Sequence, residues 1–381
     1  MAQLLAYTGA RIFDGEAWHD KAALIVAGDR VQAIGPVPSD AQTIVLPGGY
    51  LAPGLVDLQV NGGGGHLIGP QTSWNDLDQV CHTHARFGVT ALLPTLITDT
   101  SAVTDRVLAA AALGVRQAIP GLLGLHLEGP HIAPARKGAH DPARIRPMTE
   151  ADLVRLERAR TELPHLVVTV ATEAVTPEQI ARLVRAGVVV SLGHSDASYE
   201  AAMIAIRAGA SMVTHLFNAM SPLGHRDPGL VGAALASGVV WAGIIADGIH
   251  IHRATLGAAL RAKQGPGRLF LVSDSMSQAG TALADFTLNG RTIHRRDGAL
   301  RLSDGTLAGA DLTLDRAVRY AHRDLGLDPG HALQLAARFP AQALGNDALG
   351  RLYPGSAADF VHFSHDLEPR QVWQRGKTVL A

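Results

Sequence analysis

The chain carries a single cysteine, Cys81, so no disulfide can form within it and a reducing cytoplasm is the expected compartment. An excess of one charge is missing too. Lys and Arg number 33 against 34 Asp and Glu, a formal net charge of -1, which provides no overall basic field for nucleic acid or an anionic membrane. Any anion must therefore be gripped by a local cluster. No apolar run approaches the roughly 18 residues of a bilayer span. The opening MAQLLAYTGARIFDGEAW lacks the basic stretch and sustained apolar segment of an export signal. Low-complexity linkers, blocks of like charge and internal repeats are also absent. With 47% hydrophobic and 18% charged residues over 381 positions, the chain is long and apolar enough for a large core. The expectation is a globular, unexported protein with no nucleic-acid or membrane partner.

What is present is a repeating texture between about Gly54 and Ala343: an apolar run, a polar loop, then an amphipathic helix. The runs are GLVDLQVNG, TALLPTLIT, GLLGLHLEG, HLVVTVATE, VVVSLGHS, MVTHLFNAM, WAGIIADGIH and RLFLVSDS, eight in all. Continuous apolar runs of this length read as strands buried on both faces. Helix starts stand between them, the clearest at Thr176-Pro177-Glu178-Gln179, where a capping Thr, a Pro in the first turn and a Gln close a capping box. Thr149 with Asp152 is a second, less complete example. Eight strands alternating with helices predict a (β/α)8 TIM-like barrel over residues 54–349. The ends differ. AYTGARIFDG, AALIVAGDRVQAIG and TIVLPGGY are short alternating strands with turn residues, and the texture returns after Gly350. Residues 1–53 and 350–381 are therefore expected to form one small β-sandwich from both termini.

Four of the runs end in a residue able to handle a metal or a proton: Glu128, His194, His215 and Asp274. A parallel barrel gathers such strand ends on one rim. One carboxylate and two imidazoles make a three-ligand set that leaves a coordination position open for water, with Asp274 available as the base beside it. Taken singly, each is more often structural. Other motifs read more plainly. Gly193-His194-Ser195-Asp196-Ala197 approaches a nucleophile elbow but ends in Ala, and His194 suits a ligand better. The run Gly62 to Gly65 matches neither common phosphate-loop pattern, and close backbone packing is its expected role. His82 and His84 fall in a helical segment and read as structural or solvated, with Cys81 beside them as a small buried hydrophobe.

Together the motifs resemble the N-acetylglucosamine-6-phosphate deacetylases of the amidohydrolase superfamily. They are PGLVDLQVNGGGG (53–65), LHLEGPHI (125–132), RKGAH (136–140), LGHSDA (192–197), THLFNAM (214–220), HRDPG (225–229), ADGIH (246–250), LVSDSM (271–276) and LAGADLTL (307–314). The resemblance implies a metal-bearing barrel beside a β-sandwich. It implies Glu128, His194 and His215 as metal ligands, and Asp274 as the group that activates water and later protonates the amine. It implies His140 as a polarising group on the acetamide, with Ala139, Asn218 and Ala219 as further substrate contacts. Arg226 with His250 would grip the phosphate, and a loop of Leu307, Ala308 and Gly309 would line the sugar. Arg226 would reach the neighbouring subunit of a homodimer. Where the wider superfamily carries H-x-H on the first strand, this chain has Gln59-Val60-Asn61, so one divalent metal ion per subunit is expected. Zinc comes first for these donors, with iron, cobalt or manganese fitting the same set. The implied reaction is hydrolysis of the acetamide of N-acetylglucosamine 6-phosphate by metal-bound hydroxide. The alternatives are the galactosamine epimer or another N-acyl amino sugar, and a barrel that has lost its chemistry.

Overall fold

The computed structural model describes residues 3–379. Its centre is a sheet of eight parallel strands in chain order: Leu55–Val60, Val89–Ile97, Gly124–Glu128, His165–Val170, Val189–Leu192, Met212–Val213, Trp241–Ile244 and Leu269–Leu271. These correspond one for one to the eight apolar runs. The eighth strand reaches back to the first just beyond its own end. There Asp274 N–H donates to the Gln59 carbonyl at 3.0 Å and Asn61 N–H to that of Ser275 at 2.8 Å, which closes the barrel. Each residue of the first strand is buried, since helices cover one face and the barrel interior the other.

Helix starts follow the capping chemistry. Thr176 Oγ1 accepts the N–H of Gln179, whose side chain accepts that of Thr176 at 2.9 Å. The Thr149 and Asp152 pair also forms a box, in front of the helix Glu150–Glu162. No helix among the described residues is long and apolar enough to cross a membrane.

Two further sheets carry the terminal texture. Gln42–Val45, Leu4–Thr8, Ala23–Ala27 and Arg30–Gly35 make one of four strands. In the other, of six strands, Phe360–Phe363 lies antiparallel to Tyr50–Pro53, which knits the carboxyl-terminal part of the chain to the amino-terminal part. Tyr7 and Leu24 from the first sheet bury themselves against Leu51, Phe360 and Trp373 from the second. The Phe360 and Trp373 rings stack at 4.6 Å and Tyr7 meets Phe360 edge-on at 5.1 Å, an aromatic centre for the sandwich.

One element was not anticipated. Between the eighth strand and the helix Leu314–Arg323, the strands Asp285–Leu288, Arg291–Arg296, Ala299–Arg301 and Leu307–Ala310 form an antiparallel meander. It has its own core of Leu288, Ile293, Leu300 and Ala308 around Met276. This corrects the expectation of a loop at Leu307, Ala308 and Gly309: they lie on the last strand of the meander, paired with Ala299–Arg301.

Candidate active site

Glu128 closes the third barrel strand, and His194 and His215 stand just past the ends of the fifth and sixth. Glu128 Oε1 lies 3.2 Å from His194 Nε2 and 2.9 Å from His215 Nε2, and the two nitrogens are 3.1 Å apart. All three residues are buried. Nitrogen and oxygen donors placed about 2.0–2.1 Å from a tetrahedral ion are about 3.3 Å from each other, so this spacing suits a small divalent cation. The tautomer of His194 agrees. Its Nδ1 sits 2.8 Å from the Arg136 carbonyl, to which it can only donate, so the inward Nε2 keeps its lone pair. Burial pushes the Glu128 carboxyl up, but the two imidazoles outweigh it and hold the group well below the usual carboxylate range. Among the described residues this is the single group of three such donors close enough to share an ion.

Asp274 stands across from this cage, just past the end of the eighth strand. Its Oδ1 accepts from Asn61 Nδ2 at 2.7 Å and from Gln59 Nε2 at 3.1 Å, and the same Gln59 nitrogen lies 3.2 Å from Glu128 Oε1. Of the two amides where a metal pair was missing, both hold the carboxylate and Gln59 ties it to the cage. Burial, with the Glu128 charge adding to it, pushes the Asp274 carboxyl up to about 6. A carboxyl near that value can take and return a proton around neutral pH. The backbone records the cost of the arrangement: φ is +48° at His194, +29° at His215 and +49° at Asp274. Left-handed backbone at residues with a side chain costs on the order of 1 kcal/mol or more each, and such positions gather at functional sites.

His140 comes from the loop after the third strand. Its Nδ1 meets Thr98 Oγ1 at 2.7 Å, its Nε2 stands 4.0 Å from Glu128 Oε2, and its ring packs 4.4 Å from that of His194. Burial, reinforced by the His194 ring, pushes its pKa down to about 3, so it stays neutral near pH 7. The His250 side chain is buried against Asp247, with Nδ1 2.6 Å from Oδ2. Beneath the cage, His126 Nε2 meets Thr169 Oγ1 at 2.7 Å, and hydroxyl contacts continue through Thr214 to Ser191. That chain satisfies a polar floor inside the barrel.

A cavity of about 520 Å³ opens above these groups. Glu128, His194, His215, Asp274, His140 and His250 line it, together with Ala139, Asn218, Ala219, Leu307, Ala308 and Gly309. Against known proteins, the amidohydrolase family model matches residues 50–379. The chain belongs to the amidohydrolase family. An N-acetylgalactosamine-6-phosphate deacetylase of Shewanella sp. (strain ANA-3) is 42% identical over 88% of this chain and 84% of its own length. The crystal structure of the N-acetylglucosamine-6-phosphate deacetylase from Pasteurella multocida superposes with a TM-score of 0.94 at 33% identity, covering 98% of this chain and 99% of that one. A mutant of the Mycobacterium smegmatis enzyme in complex with N-acetyl-D-glucosamine-6-phosphate superposes with a TM-score of 0.91 at 31% identity, over 100% of both chains.

In this amidohydrolase, Arg226 is the one expected site residue that does not line the cavity; it lies exposed on the loop before the helix Gly229–Ala236. Ser195 is no exposed nucleophile, since it is fully buried and its hydroxyl donates to Glu173 at 2.7 Å. Of the Gly62 to Gly65 run, the first three pack closely, a Cβ at Gly62 standing 2.2 Å from the His66 carbonyl oxygen and one at Gly64 2.4 Å from Thr83 Oγ1, whereas Gly65 faces open space. His84 is buried and bonds the Gly62 carbonyl at 2.9 Å, a structural role. Among the cavity residues that sequence reasoning did not single out are Arg136, Leu288, Arg301 and Thr306. Three of them belong to the meander or its last turn, and a signal for it existed. Asn289-Gly290, Asp297-Gly298 and Asp304-Gly305 are hairpin dipeptides at even spacing.

Proposed function

We propose that this amidohydrolase removes the acetyl group from an N-acetylhexosamine 6-phosphate, releasing acetate and the amino sugar phosphate. The observation that carries the reading is the three-donor cage with a buried, amide-held Asp274 facing it. Glu128, His194 and His215 would hold one divalent ion, zinc by donor preference. Such an ion supplies Lewis acidity to the amide carbonyl and acidifies a water. Asp274 takes the proton of the attacking water. As the carbon–nitrogen bond breaks, it passes that proton to the departing amine. His140 donates a hydrogen bond to the carbonyl oxygen as negative charge collects there. Asn218, Ala219 and His250 would seat the phosphate end, and Ala139 with Leu307, Ala308 and Gly309 would wall the sugar.

Arg226 would complete the phosphate grip from a neighbouring subunit of a homodimer, in keeping with its exposed position outside its own cavity. Arginine offers the planar fork that phosphate accepts. The motifs point to N-acetylglucosamine 6-phosphate as substrate. The galactosamine epimer is the second reading, favoured by the 42% identical Shewanella relative. Acetate release from the two 6-phosphates, by protein of measured metal content, tests both. Turnover of one epimer at least tenfold faster assigns the substrate, at a discrimination of about 1.4 kcal/mol. No acetate from either would remove the proposal.

A further inference from the structure

The geometry points to Thr98 as a positioning residue for this reaction: its backbone N–H and its hydroxyl both address Nδ1 of His140 and leave the ring proton on Nε2, beside the cage. The inference rests on the proposed role of His140. Thr98 follows the last residue of the second barrel strand, whose Ile97 is paired with Glu128 on the third. Strand pairing therefore sets Thr98 next to the cage backbone. It is fully buried. Its backbone nitrogen lies 3.3 Å from His140 Nδ1 and its Oγ1 2.7 Å from the same atom. A backbone amide can only donate, so Nδ1 must be the acceptor. The hydroxyl has two acceptors in reach, Nδ1 at 2.7 Å and the Glu128 carbonyl at 3.4 Å, and the nearer one takes its proton. With Nδ1 occupied by two donors, a neutral ring carries its hydrogen on Nε2.

Two neighbours preserve this contact. Gly129 leaves room for the hydroxyl, since a Cβ there would stand 2.2 Å from Thr98 Oγ1. Asp99, the next residue, pairs with Arg144 and so ties the segment to the loop that carries His140. The opposite tautomer would turn a lone pair towards a carbonyl oxygen that is gaining negative charge. Thr98 thus acts on the reaction through His140, without touching the substrate.

Kinetics on Thr98→Val, Thr98→Ser, His140→Asn and the Thr98→Val/His140→Asn double variant test this, with metal content measured on each. Losing an orienting partner costs roughly ten- to a hundredfold, and that fall is expected in kcat for Thr98→Val, with KM and metal content held. Thr98→Ser keeps the hydroxyl and should restore kcat to within about threefold. In the His140→Asn background, Thr98→Val should cost less than about twofold, because the ring it orients is gone. A Val variant with wild-type kcat, or an equal loss in both backgrounds, overturns the assignment. A wild-type protein inert on both 6-phosphates sinks the proposed reaction but leaves the geometric point testable. Histidine-selective 15N NMR of the wild-type protein should show His140 with a pyrrole-type Nε2; a pyrrole-type Nδ1 overturns the inference.

Discussion

The floor of the cavity and its outer wall are built in different ways. The floor is made of strand ends: Glu128, His194, His215 and Asp274 are buried, bonded to one another or to Gln59 and Asn61, and fixed by the barrel sheet. The wall is made of what hangs between strands: the loop with Arg136 and His140, the meander with Leu288 and Arg301, and outside them the exposed turn with Arg226. Arg136 is half-exposed and forks onto Asp196, and Arg301 is held by a single bond to the Gly305 carbonyl at 2.9 Å. In the proposed reaction the metal-holding and proton-carrying groups are those the sheet places, His140 alone reaching in from the wall, while recognition of the substrate falls to segments whose length and sequence can change without disturbing the barrel.

The sharpest way to break that division is at Asp274. Asp274→Asn keeps size and burial but cannot accept the proton, so kcat should fall by roughly two to four decades. Metal content should persist, because the cage itself is untouched. Near-normal turnover would move the base elsewhere. On the wall, Arg226→Ala should lower kcat/KM on the 6-phosphate by about ten- to a hundredfold, one charge-assisted bond being worth roughly 1.5–3 kcal/mol. The unphosphorylated sugar should be turned over as before. Equal losses on both sugars would place Arg226 outside phosphate recognition.

The last effect lies below the floor and reads stability instead of rate. Asp57 is fully buried, and burial pushes its carboxyl up to about 7 even though backbone N–H groups of Ser273 and Gln59 donate to it. A folded-state pKa above the unfolded one means that the folded chain holds the extra proton. The stabilisation is then complete below the unfolded value and fades as pH rises towards 7. The loss is up to about 1.4 kcal/mol per pH unit in that window. Asp57→Asn should therefore flatten the fall of Tm between pH 4 and 7, read by thermal unfolding at fixed ionic strength. An unchanged slope would assign that pH dependence to other groups.

The same division explains what could be read from the residues alone. Each barrel strand is a mainly apolar run because both faces are buried, and the polar residue at or just past its end stands out, which made Glu128, His194, His215 and Asp274 visible. The amides at Gln59 and Asn61 were noticed as replacements for a metal pair, but their grip on Asp274 depends on the first and eighth strands meeting, which spacing does not reveal. The meander was overlooked because its strands, such as RTIHRR, are polar on the solvent side and carry no unbroken run. Its hairpin dipeptides stand at near-even spacing, and the loop that the family resemblance implies at Leu307 to Gly309 is instead the meander's last strand. Arg226 shows another limit: its motif was conspicuous, yet a single chain does not bring it to the cavity.

The left-handed backbone at His194, His215 and Asp274 places two demands on the same three codons. Glycine at any of them would relax the chain and at the same time delete a donor or the acid. Ease of the backbone and the chemistry proposed for these residues are thus set against each other at the same three positions.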